Sequence, residues 1–143
     1  MDLIDELIKK NRLKKVFFSD DMINKEFRVS LKDLDSARKS LADENYKWSI
    51  IQSYYAVFHA ARALVFKAGY REESHSALKS VFRLLYIDTE KLSIETYYAL
   101  ERGMSLREMA DYKETYSQNS AENILQAVTL AINEIRKFLN ENE

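Results

Sequence analysis

The sequence predicts an all-α fold, and three observations carry that reading. Proline is absent and glycine occurs only at Gly69 and Gly103, too few turn-formers for a sheet protein of 143 residues. Apolar residues return every three or four positions through most of the chain. The breaks between these stretches are short, which favours an antiparallel up-and-down bundle.

Six helical segments are expected. The first covers about residues 2–16, with Leu3, Ile4, Leu7 and Ile8 followed by a basic run from Lys9 to Lys15. It reads as an N-terminal helical arm (residues 1–18) lying on the bundle. Phe17 to Asp21 reads as a break. The second helix, about 24–43, keeps Phe27, Leu31, Leu34 and Leu41 on one face. The third, about 46–68, is the least polar. Trp48, Ile51, Tyr55, Phe58 and Val65 form one stripe, and Tyr54, Val57, Ala61 and Leu64 another. A helix apolar on most sides belongs in the middle of a bundle. Gly69 is placed to end it as a left-handed residue.

The fourth helix spans about 74–86, with Ser74 as N-cap and Leu78, Val81, Phe82 and Leu85 facing the core. The fifth, about 93–111, uses Ile94, Tyr97, Leu100, Met104 and Met109, and Gly103 marks a bend or a close contact. The sixth, about 120–139, carries Ile124, Val128, Ala131, Ile135 and Phe138, with its cap near Ser120. No repeat, linker or boundary divides the chain, so one domain with a core at about 24–139 is expected.

Composition narrows the function classes. The formal net charge is -1 and the pI about 6.2, which predicts no general nucleic-acid binder but leaves room for a local basic patch. Without cysteine, disulfides and thiolate metal sites are excluded. No apolar run reaches membrane-spanning length, and the acidic start Asp2, Asp5, Glu6 is unlike a signal peptide. A soluble, cytoplasmic protein without membrane contact is expected. Phosphate-cradling glycine loops, dinucleotide fingerprints and nucleophile elbows are missing, and two histidines are too few for an evident zinc motif. Neither metal nor cofactor is expected.

What chemistry remains sits in a few residues. Arg107 and Asp111 are four apart and share a helix face, with Tyr112 beside them. An arginine can hold a phosphate bidentately. By spacing alone the pair also reads as a surface ion pair worth a few tenths of a kcal/mol. His59 reads as a packed or hydrogen-bonded core histidine. His75, at a helix start, is disfavoured as a cation by the helix dipole. It is either a neutral base or acceptor, or a loop-ordering group. Tyr54 or Tyr55 could line a polar pocket, since buried phenols need partners. The Lys9 to Lys15 run reads as a solvated face.

Three stretches together resemble a known family. Tyr54-Tyr55-Ala56-Val57-Phe58-His59-Ala60-Ala61-Arg62-Ala63-Leu64, then Ser74-His75-Ser76, then Arg107-Glu108-Met109-Ala110-Asp111-Tyr112 resemble the HEPN domain (higher eukaryotes and prokaryotes nucleotide-binding), in particular a subfamily of small prokaryotic proteins. The resemblance runs over about 24–139. It implies a helical bundle that is often a homodimer, commonly paired as toxin and antitoxin with a minimal nucleotidyltransferase. Other relatives are metal-independent RNases. Those share an arginine, then four to six intervening residues, then a histidine; the arginine holds the scissile phosphate and the histidine assists the RNA 2′-hydroxyl. Arg107 matches the arginine, but Tyr112 stands at the histidine spacing, and a phenol with a pKa of about 10 is a poor base at neutral pH. The pair Arg71 and His75 is too closely spaced to match. The tyrosine that some family toxins offer for modification with AMP falls at Glu114 here.

The resemblance therefore implies a binding and interaction module. A nucleotide or RNA phosphate would be held by Arg107, Asp111, Tyr112 and Tyr55. The alternative is a metal-independent RNase in which His75, brought from another helix or subunit and oriented by Asp111, joins Arg107 as the catalytic pair. A third reading is a purely structural partner that masks another protein.

Overall fold

The computed structural model describes residues 2–142. Six α-helices dominate: α1 (Leu3–Lys9), α2 (Asp20–Ala42), α3 (Tyr46–Lys67), α4 (His75–Phe82), α5 (Ile94–Tyr112) and α6 (Gln118–Glu141). A π-helical turn, Arg83–Ile87, continues α4. Two three-residue strands, β1 (Leu13–Lys15) and β2 (Tyr70–Glu72), pair antiparallel with Leu13 opposite Glu72 and Lys15 opposite Tyr70.

Helix α3 is the hub. It packs against α2, α5, α6 and α4, and Ile50, Tyr54, Val57, Leu64 and Val65 are fully enclosed. Ala56, Ala60 and Ala63 are also buried and let neighbouring backbones approach. Serines knit α2 to α3: Ser30 Oγ donates to the Ala56 carbonyl at 2.6 Å, and Ser49 Oγ to the Ala37 carbonyl at 2.9 Å. Each satisfies a buried hydroxyl that would otherwise cost stability. Helix α3 ends where expected. Gly69 has φ +89 and donates its N–H to the Phe66 carbonyl at 2.9 Å.

Gly103 makes a close contact rather than a bend. A β-carbon there would stand 3.4 Å from Tyr54 Cδ1 and 3.5 Å from Tyr54 Cα. The missing side chain lets α5 lie against α3 at the level of Tyr54. Helix α5 has no cap hydrogen bond from its own Ser93 side chain. Glu134 of α6 supplies one instead, its Oε1 accepting from Ser93 N, Ser93 Oγ and Thr96 Oγ1 at 3.0, 3.1 and 2.7 Å. A carboxylate at a helix start also suits the macrodipole.

Four expectations need correction. The first segment is not one helix over residues 2–16. Helix α1 is capped by Asp2 and stops at Lys9; Asn11 then turns left-handed at φ 59, and Leu13 enters the core from β1. Helix α2 begins at Asp20, because Ser19 caps it and Asp20 and Asp21 are favourable first-turn acids, not a break. Helix α6 is capped by Ser117, with Ser120 as the reciprocal partner in a capping box. Trp48 and Met109, read as stripe residues, are 47% and 39% exposed, since each lies near a helix end that no neighbour covers. Helix α1 does lie on the bundle, with Ile4, Leu7 and Ile8 half-buried against the core.

The Gly103 contact has room for a methyl group and no more. Gly103→Ala is expected to hold or raise stability, by up to about 1 kcal/mol from helix propensity. Gly103→Leu is expected to cost about 1–3 kcal/mol by overpacking against Tyr54. Urea unfolding of both variants checks the pair.

Candidate functional site

Antiparallel α3 and α5 bring the site together. Tyr54 and Tyr55 are consecutive on α3 and so point about 100° apart around the helix. Tyr54 faces inward and is wholly buried; Tyr55 is half-buried at the rim. One turn beyond Gly103, Arg107 comes level with Tyr55, and its Nη2 donates to the Tyr55 hydroxyl at 3.1 Å. The guanidinium carbon lies 5.6 Å from the Tyr55 ring centre and 5.3 Å from that of Tyr112, within cation–π range of both. Asp111 Oδ2 stands 3.6 Å from Nη2, one turn along α5. The Arg107 side chain is 18% exposed, and its Nε is buried without a partner. Such a guanidinium is oriented but not saturated.

His75 approaches from α4. It is the first residue of α4, behind the N-cap Ser74, whose Oγ accepts from Ala77 N at 3.0 Å. Its ring packs on Phe58 with centroids 4.4 Å apart and meets the Tyr55 ring edge-on at 6.3 Å. Nδ1 lies 2.6 Å from the Tyr54 hydroxyl. The imidazole is thus held by Tyr54 and Phe58. The expectation that Asp111 orients it is corrected: Asp111 pairs with Arg107.

This geometry constrains the tautomer. Buried Tyr54 Oη has one proton to place, and Nδ1 is its partner. If Tyr54 donates, Nδ1 accepts and the ring proton sits on Nε2. His75 then presents an N–H donor outward. Burial lowers its pKa, and the charges of Arg107, Arg62 and His59 lower it further, so the neutral ring is favoured at neutral pH. Burial raises the Tyr54 pKa, which keeps that hydroxyl protonated.

A second polar group flanks the site along α3. His59 is half-buried, with Nδ1 2.6 Å from Glu26 Oε1 and Nε2 3.8 Å from Asp33. It is the hydrogen-bonded histidine that the sequence suggested. Arg62 forms an ion pair with buried Glu72 of β2 and lies 3.8 Å from Glu26. Burial raises the Glu72 pKa and Arg62 opposes it. Among the described residues no group of three or more His, Asp or Glu side chains is set to hold a metal. A hollow between α5 and α6, lined by Tyr98, Ala99, Arg102 and Ala127, lies apart from these groups. Chemistry, not concavity, locates the site.

Sequence reasoning named Arg107, Asp111, Tyr112, Tyr55 and His75. The structure places Arg107 against Tyr55, Tyr112 and Asp111, with His75 edge-on to Tyr55. Tyr112 itself is 70% exposed. Reasoning missed that Tyr54 and Phe58 hold His75, and that Glu26, Arg62 and Glu72 form a neighbouring network. The one available signal was the polar content of an otherwise apolar helix.

The HEPN domain family pattern matches residues 24–141. The chain belongs to the HEPN domain family. Its match takes in α2 to α6 almost entire and leaves α1 and β1 outside. Relatives from Methanocaldococcus jannaschii include the proteins named "Putative toxin MJ0142" and "Putative toxin MJ0605". The first is 24% identical over 76% of this chain and 75% of its own length, and the second 24% identical over 84% and 96%. A Pyrococcus horikoshii protein, "UPF0332 protein PH1297", is 31% identical over 54% of this chain and 53% of its own length. No helix among the described residues is long and apolar enough to cross a membrane.

The depressed His75 pKa has a consequence for stability. The unfolded chain takes up this proton near pH 6.5, before the folded chain does. The packing of neutral His75 therefore contributes fully above that pH, and its contribution falls as pH drops toward the folded pKa. The stability gap between wild type and His75→Gln is expected to be constant above pH 7 and to shrink as pH falls below about 6.5. Denaturant titrations across that range measure it.

Proposed function

We propose that this HEPN domain is a binding module whose site, centred on Arg107, holds the phosphate of a nucleotide or of RNA. The unsaturated guanidinium carries the reading. Arg107 is fixed by the Tyr55 hydroxyl and by Asp111 through Nη2, while its side chain keeps 18% of its surface open and, among the described residues, Nη1 has no hydrogen-bond partner. An arginine held this way presents charge-assisted donors at little entropic cost. His75, whose ring also meets Tyr55, would add an Nε2–H donor from a second element where Tyr54 donates to Nδ1. The relatives named as toxins favour a partner that restrains the protein, and a minimal nucleotidyltransferase is the partner proposed. A homodimer is the proposed assembly.

A second reading, a metal-independent RNase, draws on the same pair. There His75 would have to accept a proton from the RNA 2′-hydroxyl through Nε2. That requires the opposite tautomer, with Nδ1–H donating to Tyr54 and the buried Tyr54 proton left without its partner. Tyr112 offers no substitute base. Binding without turnover is the simpler use of this geometry.

The two readings predict opposite responses to acid. A phosphodiester keeps its charge between pH 5 and 8. As pH falls through the lowered His75 pKa, imidazolium forms and anion binding tightens; a base at the same position is lost and cleavage slows. Affinity for a short RNA is thus expected to rise from pH 8 to pH 5 by an increment that His75→Gln abolishes. Arg107→Ala is expected to weaken binding at every pH by roughly tenfold or more, the loss of a charge-assisted bond, with circular dichroism unchanged. Calorimetric titration measures both. RNA cleavage by wild type in EDTA that disappears in Arg107→Ala would replace this reading with the RNase one, and unchanged affinity in Arg107→Ala would remove Arg107 from the site.

A further inference from the structure

The end of the bundle beyond Arg107 exposes aromatic rings that the fold does not use. Tyr112 is 70% exposed, Trp48 47% and Tyr116 45%. All three belong to the same end of the antiparallel α3/α5 pair. Trp48 lies seven residues before Tyr55, on the same α3 face and about 10 Å along the axis. Tyr112 ends α5, one position past Asp111. Tyr116 follows in the connection to α6, which is tied to the start of α3 by Lys47 Nζ and Glu114 Oε1 at 2.6 Å. Glu114 reaches that position through a left-handed turn at φ 51.

These rings alternate with cations. Arg107 lies between the Tyr55 and Tyr112 rings, and Lys47 Nζ lies 5.9 Å from the Trp48 ring centre. The core of an interface for a protein partner is depleted of charged residues, which are kept to its rim. Rings set singly among Lys47, Arg107, Lys113 and Glu114 instead suit flat, polar-edged partners that stack one at a time. The local acids point the same way. Asp111 pairs with Arg107 and Glu114 with Lys47, so little positive charge is left to grip a phosphate backbone. Affinity here would have to come from stacking.

We propose that Tyr112, Tyr116 and Trp48 form a base-stacking track for single-stranded RNA, continuing outward from a phosphate anchored at Arg107. The inference rests on the phosphate-binding reading above and adds the ligand's strandedness and the side chains that hold its bases. With about one phosphate neutralised, the salt dependence should be shallow, with log K against log salt falling at a slope near about -0.7.

Trp48 is the only tryptophan, so its emission reports on the track directly. The test titrates the full chain with a single-stranded adenosine dodecamer, a duplex RNA of the same length and an abasic ribose-phosphate dodecamer. Trp48 emission and the anisotropy of labelled strands are followed. The single strand is expected to quench Trp48 and bind roughly tenfold or more tighter than the abasic strand and the duplex. Tyr112→Ala should remove most of that preference while Tyr112→Phe keeps it. Because Tyr112 is exposed, neither change should disturb the fold. Equal affinity for the single strand and the abasic strand, or wild-type affinity in Tyr112→Ala and Trp48→Ala, would overturn the track. If the abasic strand still bound in an Arg107-dependent manner, the phosphate reading would survive alone. Failure of every RNA to bind would overturn the track, and failure of adenosine monophosphate as well would overturn both.

Discussion

Helix α3 is enclosed by α2, α4, α5 and α6, and most of the polar groups it carries are paired inside that enclosure, the buried Ser53 hydroxyl being left without a partner. An unpaired buried hydroxyl or charge costs on the order of 1–3 kcal/mol, a large part of a small protein's stability. The consequences run outward from α3. Tyr54 takes His75, Tyr55 takes Arg107, His59 takes Glu26, and Arg62 takes Glu72. Four different segments are thereby held in place by one helix. The candidate site is the solvent-facing edge of this arrangement, where the last partner in the chain of bonds, Arg107, is only partly satisfied. The small residues make it possible: a side chain larger than a methyl group at position 103 would press α5 away from Tyr54, and with it Arg107 from Tyr55.

The central position of α3 was legible because no polar face interrupts its apolar stripes, and Gly69 marked its end. The helices that read most clearly are those whose caps and periodicity agree. Residues 2–16 misled because a lysine-rich run carries no face. The chain there is shaped by Asn11 turning left-handed and by pairing with a strand nearly sixty residues away, and neither leaves a periodic trace. Trp48 and Met109 fit their stripes in phase yet lie where the neighbouring helices stop. Periodicity records direction around a helix, not whether anything packs there.

Within the site the same distinction holds. Arg107 and Asp111 lie one helical turn apart, so sequence spacing foretold their contact. Tyr54 and His75 sit on different helices, 21 residues apart, and their bond depends on how α4 docks on α3. What spacing could not supply was the direction of that bond. Nδ1 faces the buried phenol in either tautomer; where the phenol donates, Nε2 carries the ring proton and His75 offers a proton there, and where the phenol accepts, His75 takes one. A residue chosen for its side-chain type thus acquires its chemical sense from a neighbour with no catalytic look of its own.

The β1–β2 ribbon is the smallest element of the fold, yet it joins the N-terminal arm to the start of α4. Leu13 pairs with Glu72, and Glu73 N donates to the Arg12 carbonyl at 2.8 Å, two residues before His75. Opening the arm would therefore loosen the backbone that sets His75 in place and unshield Glu72, the partner of Arg62. The arm and the backbone just before the histidine are thus tied through the ribbon. Residues 1–23 lie outside the family match, so the backbone leading to His75 is braced in part by a segment beyond the matched region.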